Sequence, residues 1–528
     1  MQRMSGIDPM FVYSDTPVTP MEVAYTCVFD PATAPGGYSF GAVRAVLADR
    51  VPTMLPLLRR MMPVPLGLDH PRWVDDPGFD LDNHLRRAAL PAPGGDVELR
   101  AKVAEVMGRP LDHSQPPWEM HMVEGLAGGR VALIAKVHHS VIDGVAGVQL
   151  MAQLLDFSPE GRPADTADTA AAAASAADGG ATADGGTTGE ATGGATTTAA
   201  SATTAGVRWR APSLPSSVQL VAHAIPSVVT SPIRAFGALR EIGKTAIRMA
   251  QRALDEETPP LSIPLGAPAT FETPVGAARS VAFAELGLGP VRELKERFGV
   301  TINDVILAVC SGALRAHLAK HDYLAGSDQE PGSPLVAVVP ISVRSDSPED
   351  DLGNRLSAMF VPLANDLPDP IDRLRSIAAA SASAKAQERA VGYGPMASAL
   401  SEAVPPVLAR RVIRMGISMG ALRRARAGNL MISNVPGPDF PLYFAGMQMM
   451  AAYPLGPVVD GVALNITVQS YNDTLCVGLN ACASAVPDLS GLACSIVNEL
   501  AHMTEAAEHA YNRMGSIERR ARSARLAS

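Results

Sequence analysis

"KVHHSVIDGVAG", Lys136 to Gly147, is the stretch from which the fold of this 528-residue chain can be read. Before it, residues 130–137 form a short run rich in branched apolar residues, the composition of a buried strand. After it, Val145, Val148, Leu150, Met151, Leu154 and Leu155 recur at roughly helical spacing. The two histidines and the Asp143-Gly144 pair therefore sit on a strand-to-helix turn. Neighbouring residues of a strand point to opposite faces, so one imidazole can meet a crevice while the other packs inward.

Several chemistries suit such a turn. A zinc site needs further ligands, and no HExxH, CxxC or second histidine cluster accompanies the pair. Asp143 suits a helix cap ahead of Gly144 at least as well as any chemical role. A neutral imidazole, with an ordinary pKa near 6.5, can take a hydroxyl proton at neutral pH as that oxygen attacks a carbonyl. No GxSxG elbow supplies an alternative nucleophile.

The same alternation of strand and helix recurs further on. Thr301-Ile302-Asn303-Asp304 precedes an apolar periodic run, in the manner of a capping box opening a helix. Residues 334–343 and 462–470 read as strands; in the second, Val462, Leu464, Ile466 and Val468 face one way and Asn465, Thr467 and Gln469 the other. Between the two halves lies an Ala/Thr/Gly-rich segment with no bulky apolar residue from Ala164 to Gly206, which has nothing to offset the entropy of ordering it. The expected organisation is an N-terminal domain at 1–160, a disordered linker at 161–212, a helical connector at 213–260 and a C-terminal domain at 261–528.

Composition narrows the function. The chain is 47% hydrophobic and 18% charged, as a globular protein should be, while 5% aromatic content and a net charge of −9 argue against a nucleic-acid binder. Five scattered cysteines, mostly in apolar runs, suit reduced core residues of a cytosolic protein. The N-terminal stretch lacks the apolar core of a signal peptide, and no run reaches about 18 apolar residues, so neither export by that route nor a membrane span is expected.

HHSVIDG resembles the HHxxxDG motif of the chloramphenicol acetyltransferase and peptide-synthetase condensation superfamily. More narrowly, the chain resembles the bacterial wax ester synthase/diacylglycerol acyltransferase family. SGIDPMFVYSDTPVTPME, PRWVDDPGFDLDNHLRRAALPAPGG and PLDHSQPPWEMHMVEGL carry the likeness before the motif; TINDVILAVCSGALRAHL, VPISVR, DLGNRLSAMFVPL, NLMISNVPGP and YPLGPVVDGVALNITVQSYNDTL carry it after. The resemblance implies an α/β fold of two chloramphenicol-acetyltransferase-like sandwich domains with an active-site channel between them. It implies direct transfer of a fatty acyl group from coenzyme A to diacylglycerol or a long-chain alcohol, giving triacylglycerol or wax ester. Acyl-CoA is then a co-substrate, and no cofactor or metal is expected.

Carried over by position, His139 is the general base, His138 supports the turn and Asp143 is structural. Asn303, Asp304, Arg344 and Asn354 fall on family signatures and are expected to shape the fold, as is Gly144. Asn465 and Ser470 are candidates for substrate or oxyanion contacts, against the alternative that they satisfy sheet hydrogen bonds. Two further functions compete with the acyl-CoA reading: a condensation-type domain using carrier-bound acyl groups, disfavoured because no carrier segment accompanies the domain pair, and a non-catalytic lipid-binding relative, disfavoured because both histidines and the aspartate are intact. Water-insoluble substrates imply peripheral contact with the inner membrane face or lipid inclusions. Two basic stretches suit it: Arg240, Lys244, Arg248 and Arg252 on a helix with Ile242, Ile247 and Met249, and residues 401–428 with Arg410, Arg411, Arg414, Arg423, Arg424 and Arg426 against Glu402. Solvated helix faces or a patch for coenzyme A phosphates would give the same pattern.

Overall fold

The apolar run before the histidines is a central strand, β7 (Val131–His138), and the periodic run after them is the helix Gly144–Leu154. The structure is a computed structural model that describes residues 1–142, 144–161, 213–253, 264, 266, 273–321, 334–342, 356–426 and 428–526. The linker expected at 161–212 lies outside these residues apart from its first position, as do Asp143, Arg344 and Asn354. The segment expected as a connector carries a helix at Ser217–Ala253.

Strand β7 lies between β2 (Glu22–Asp30) and β6 (Trp118–Glu124), both antiparallel to it, with β5 (Leu85–Ala89) added in parallel at the edge. Both faces of this sheet are covered. Tyr25, Cys27, Phe29, Val131 and Leu133 pack with Val43 and Leu47 of the helix Phe40–Arg50. Ala24, Val28, Ala132 and Ile134 pack with Leu99, Val103 and Val106 of the helix Asp96–Gly108. Burial on both faces is why β2 and β7 read as nearly continuous apolar runs. A small sheet of β1 (Gln2–Arg3), β3 (Arg59–Met62) and β4 (Arg72–Asp75) lies apart from it.

The second large sheet has the order β10 (Leu356–Pro362), β9 (Val336–Ser342), β11 (Leu430–Val435), β14 (Leu464–Tyr471), β15 (Thr474–Cys482) and β8 (Arg279–Gly287). Its apolar face is closed by the helices Leu288–Phe298, Ile302–Lys320, Pro370–Val391 and Leu489–Leu526. The helix Ile302–Lys320 is long and apolar enough to cross a membrane, but it is mostly buried in this core.

The sheets do not respect a division of the chain at residue 261. After β11 the chain leaves the second sheet, and β12 (Tyr443–Phe444) and β13 (Met447–Leu455) join the first; β13 pairs with β2, Met449 opposite Phe29 and Leu455 opposite Ala24. The exchange covers the outer edge of β2, which would otherwise present unpaired backbone groups. Where β13 passes over β15, a Cβ at Gly478 would lie 1.9 Å from the Pro454 carbonyl oxygen, so only glycine permits the crossing. The face of β14 read as its polar side is also enclosed: Asn465, Thr467 and Gln469 are all buried. The reason is the loop ahead of the strand, which Asn465 and Asn480 hold by donating to the Pro457 and Gly456 carbonyls (3.1 and 2.8 Å).

Candidate active site

The turn after β7 is fastened at both histidines. His138 N–H donates to the Pro117 carbonyl (3.0 Å), His139 N–H to the Met21 carbonyl (2.8 Å), and Val141 N–H closes a turn on the His138 carbonyl (2.9 Å). The opposite-face expectation holds. His138 is fully buried, whereas His139 is half-buried. The His139 ring stacks on Phe11, with centroids 4.3 Å apart and planes 7° from parallel. Phe11 comes from the short helix Asp8–Ser14, whose C-terminal residue is followed by Asp15. Asp15 accepts the Met21 N–H (3.0 Å), binding this helix to the strand β2 that begins next to it.

His138 has a defined tautomer. Its Nδ1 accepts the Ser140 N–H (3.2 Å) and lies 2.7 Å from the Ser140 hydroxyl, so the ring proton belongs on Nε2. Nε2 faces the Asp15 carboxylate at 3.9 Å, and the His113 Nε2 lies 3.2 Å from the same carboxylate. Burial holds His138 well below the usual histidine pKa, with the neighbouring His113 and His139 acting in the same direction. Burial also raises Asp15, against the lowering effects of the Met21 N–H and of His113. Asp15, His113 and His138 offer ligand atoms within 4.8 Å of one another, a spacing that a cation could also use.

Behind the turn, Lys136 and Glu22 form a fully buried ion pair at 2.7 Å. Lys136 also donates to the carbonyls of Val106 (2.8 Å) and Arg109, while Glu22 accepts the Leu111 N–H (2.6 Å). Burial pushes Glu22 up to about 7 even against the neighbouring ammonium. The pair anchors the 106–111 segment that leads to His113. On the far side of the Asp8–Ser14 helix, Tyr13 lies 2.8 Å from His70 Nδ1, and His70 Nε2 lies 3.1 Å from the Ser401 carbonyl.

The other residues singled out in the sequence have structural positions. Asp304 closes the capping box with Thr301, accepting the Thr301 N–H (2.9 Å) while its own N–H donates to the Thr301 hydroxyl (3.2 Å). Asn303 lies beside it, half-buried in the first turn. Asn465 donates to Pro457 and accepts from Thr467 (2.7 Å), and Ser470 exchanges hydrogen bonds with the Gly437 backbone (2.9 and 3.3 Å). These bonds tie the loops at Pro457 and Gly437 to β14. Gly144 opens the helix after the turn. Sequence reasoning missed Phe11, Asp15 and His113 as partners of the histidines. The signal for the first two was the stretch SGIDPMFVYSD, and for the third the segment PLDHSQPPWE, both quoted above only for their resemblance.

The sequence profile described as the wax ester synthase/diacylglycerol acyltransferase catalytic domain matches residues 4–306, and that of the WS/DGAT C-terminal domain matches residues 352–504. The chain belongs to the wax ester synthase/diacylglycerol acyltransferase family. A Mycobacterium tuberculosis protein provisionally named a diacylglycerol O-acyltransferase is 35% identical over 523 residues, covering 96% of this chain and 91% of the relative. Another from the same species is 33% identical over 511 residues, covering 95% and 99%. Among solved structures, the wax ester synthase/diacylglycerol acyltransferase of Marinobacter aquaeolei VT8 superposes with a TM-score of 0.62 at 25% identity, covering 96% of this chain and all of that one. The first condensation domain of the calcium-dependent antibiotic synthetase shares the fold, with a TM-score of 0.53 at 14% identity and 96% coverage of both chains. As a family member the chain is an acyltransferase, α/β in class, with two sheet-rich domains.

Proposed function

We propose that the protein moves a long-chain fatty acyl group from coenzyme A to the free hydroxyl of diacylglycerol, forming triacylglycerol, and accepts long-chain alcohols in the same site to form wax esters. The observation that supports this reading is the contrast between the two histidines: one imidazole sealed and neutral, the next half-buried and held in plane by Phe11. In the proposed step His139 takes the acceptor hydroxyl proton as that oxygen attacks the thioester carbonyl. The carbon–sulfur bond then breaks, and the sulfur leaves as thiol with the proton returned from the imidazole. No covalent acyl-enzyme forms. Holding both lipids together supplies much of the rate enhancement. Acyl-CoA is a co-substrate, no resident cofactor or metal takes part, and the enzyme works peripherally on a lipid surface from the cytoplasmic side.

The test uses purified protein with labelled palmitoyl-CoA and, in turn, diacylglycerol, monoacylglycerol and hexadecanol. His139→Ala should lower turnover by about 10²–10⁴-fold, the usual contribution of a positioned base, with acyl-CoA binding largely unchanged. Near-parental turnover of this variant at saturating acceptor, or loss of activity on adding a chelator to the parent enzyme, would overturn the mechanism.

A further inference from the structure

One face of the molecule joins exposed apolar side chains to arginines, and it lies one helix away from His139. The helix Pro406–Ser418 buries Ala409 and leaves Leu408, Val412 and Met415 more than half exposed at four- and three-residue spacing, with Met419 continuing the row one residue beyond its end. Arg410, Arg411 and Arg414 stand exposed beside this row. The connector helix Ser217–Ala253 repeats the pattern, with Ile225, Val229, Ile233 and Phe236 exposed along one side. Its inner side is tied down: Arg72 donates to the His223 carbonyl (2.8 Å), and Arg234 reaches Glu402 (3.5 Å), which also pairs with Arg3 (2.8 Å). Between the two helices the 65–67 turn touches both and presents Leu66, 84% exposed and in the left-handed region at φ 57°.

Large exposed apolar side chains in rows on two helices are costly in water and mark a surface made to be covered. Arginines flanking such a row select an anionic partner, and an apolar row with basic flanks is the arrangement of a helix lying in a lipid interface. The position of the face adds a functional argument. The helix Pro406–Ser418 packs on Asp8–Ser14; the Arg410 charge acts on Tyr13 and the Arg414 charge on Asp15. Asp8–Ser14 in turn carries the Phe11 ring stacked on His139. We infer that the surface formed by the Ser217–Ala253 helix, Leu66 and the Pro406–Ser418 helix seats on an anionic phospholipid surface, so that the lipid acceptor passes to His139 beside the Asp8–Ser14 helix. This inference rests on the proposed acyl transfer to a lipid alcohol.

The experiment is flotation of the full-length protein with phosphatidylcholine vesicles and with vesicles containing equal phosphatidylcholine and phosphatidylglycerol. It is paired with turnover on diacylglycerol embedded in those vesicles and on a short-chain alcohol in free solution. The variants are Arg410→Gln/Arg411→Gln and Leu408→Ser/Val412→Ser/Met415→Ser, all at exposed positions. Each arginine near an anionic surface changes partitioning by about fivefold, so the double arginine variant should float about 25-fold less with the mixed vesicles. Both variants should lose turnover on embedded diacylglycerol and keep parental turnover on the soluble alcohol. Parental flotation and parental turnover on embedded diacylglycerol in both variants would overturn the docking face. So would a parent that is dimeric in solution and rendered monomeric by the serine variant, since the face would then meet a second copy of the chain. If flotation falls as expected while the parent acylates neither acceptor, the docking face stands and the proposed activity fails.

Discussion

Phe11→Ala isolates how much of the reaction depends on orienting His139, the proposed base. The Phe11 and His139 rings lie 4.3 Å apart and 7° from parallel, while the His139 backbone is held separately by its bond to Met21. Removing Phe11 therefore takes away the ring stacked on the imidazole while the backbone bond to Met21 remains. A stacked aromatic pair is worth about 0.5–1.5 kcal/mol beyond its buried area, which corresponds to about a 2- to 13-fold change in the population of the stacked orientation. Phe11→Ala should lower kcat by that factor and leave the KM for acyl-CoA unchanged; Phe11→Trp, which keeps a ring on His139, should recover most of it. The assay is initial-rate kinetics with palmitoyl-CoA and saturating diacylglycerol, with urea unfolding run alongside so that a folding defect is recognised. An unchanged kcat in Phe11→Ala would refute the orienting role. A loss as deep as that of His139→Ala, in a protein as stable as the parent, would refute it in the other direction, because Phe11 would then be contacting substrate.

Asp15→Asn keeps an acceptor for the Met21 N–H but removes the charge facing His113 and His138; it should cost about 1–3 kcal/mol in urea unfolding, and parental stability would show that the carboxylate's charge is not what holds the turn. Lys136→Met strands the buried Glu22 carboxylate and should cost about 3–5 kcal/mol, largely recovered in Lys136→Met/Glu22→Gln; a double variant no more stable than the single one would contradict the ion-pair account. Burial lowers His70 to about 4 from its ordinary 6.5. A depressed histidine gives stability that is complete above the unfolded pKa and is lost as pH falls through the folded one, so unfolding free energy should drop by about 3 kcal/mol between pH 6.5 and 4. His70→Asn should flatten that slope, as measured by urea titrations across the range.

Local chemistry explains what could be read without coordinates. The turn carrying His138 and His139, the Asp304 capping box and the strands near 336 and 464 all depend on residues within a few positions of one another, so spacing alone exposes them. The partners of the histidines depend on chain crossings that spacing does not encode. Asp15 lies 98 residues before His113 in the sequence (113 − 15), yet both carboxylate and imidazole reach His138, because the Lys136–Glu22 pair and the Met21 bonds draw three separate segments to the end of β7. The exchange of β13 into the first sheet was hidden for a related reason. Its apolar residues satisfy either sheet equally well, and the choice rests on the open edge of β2 and on Gly478, whose missing side chain lets Pro454 pass. The burial of the polar face of β14 has the same origin: alternation puts Asn465 and Gln469 on one side, but the covering loop at 456–457 comes from the same excursion that carries β13 to the other sheet. That excursion places Leu455 in the core around Ala24 and Ile134, on strands β2 and β7, with Gly456 and Pro457 immediately following against β14 and β15. One crossing segment therefore packs against both sheets, and the strand that ends in the turn carrying His138 and His139 rests partly on residues contributed from more than 300 positions away in the chain.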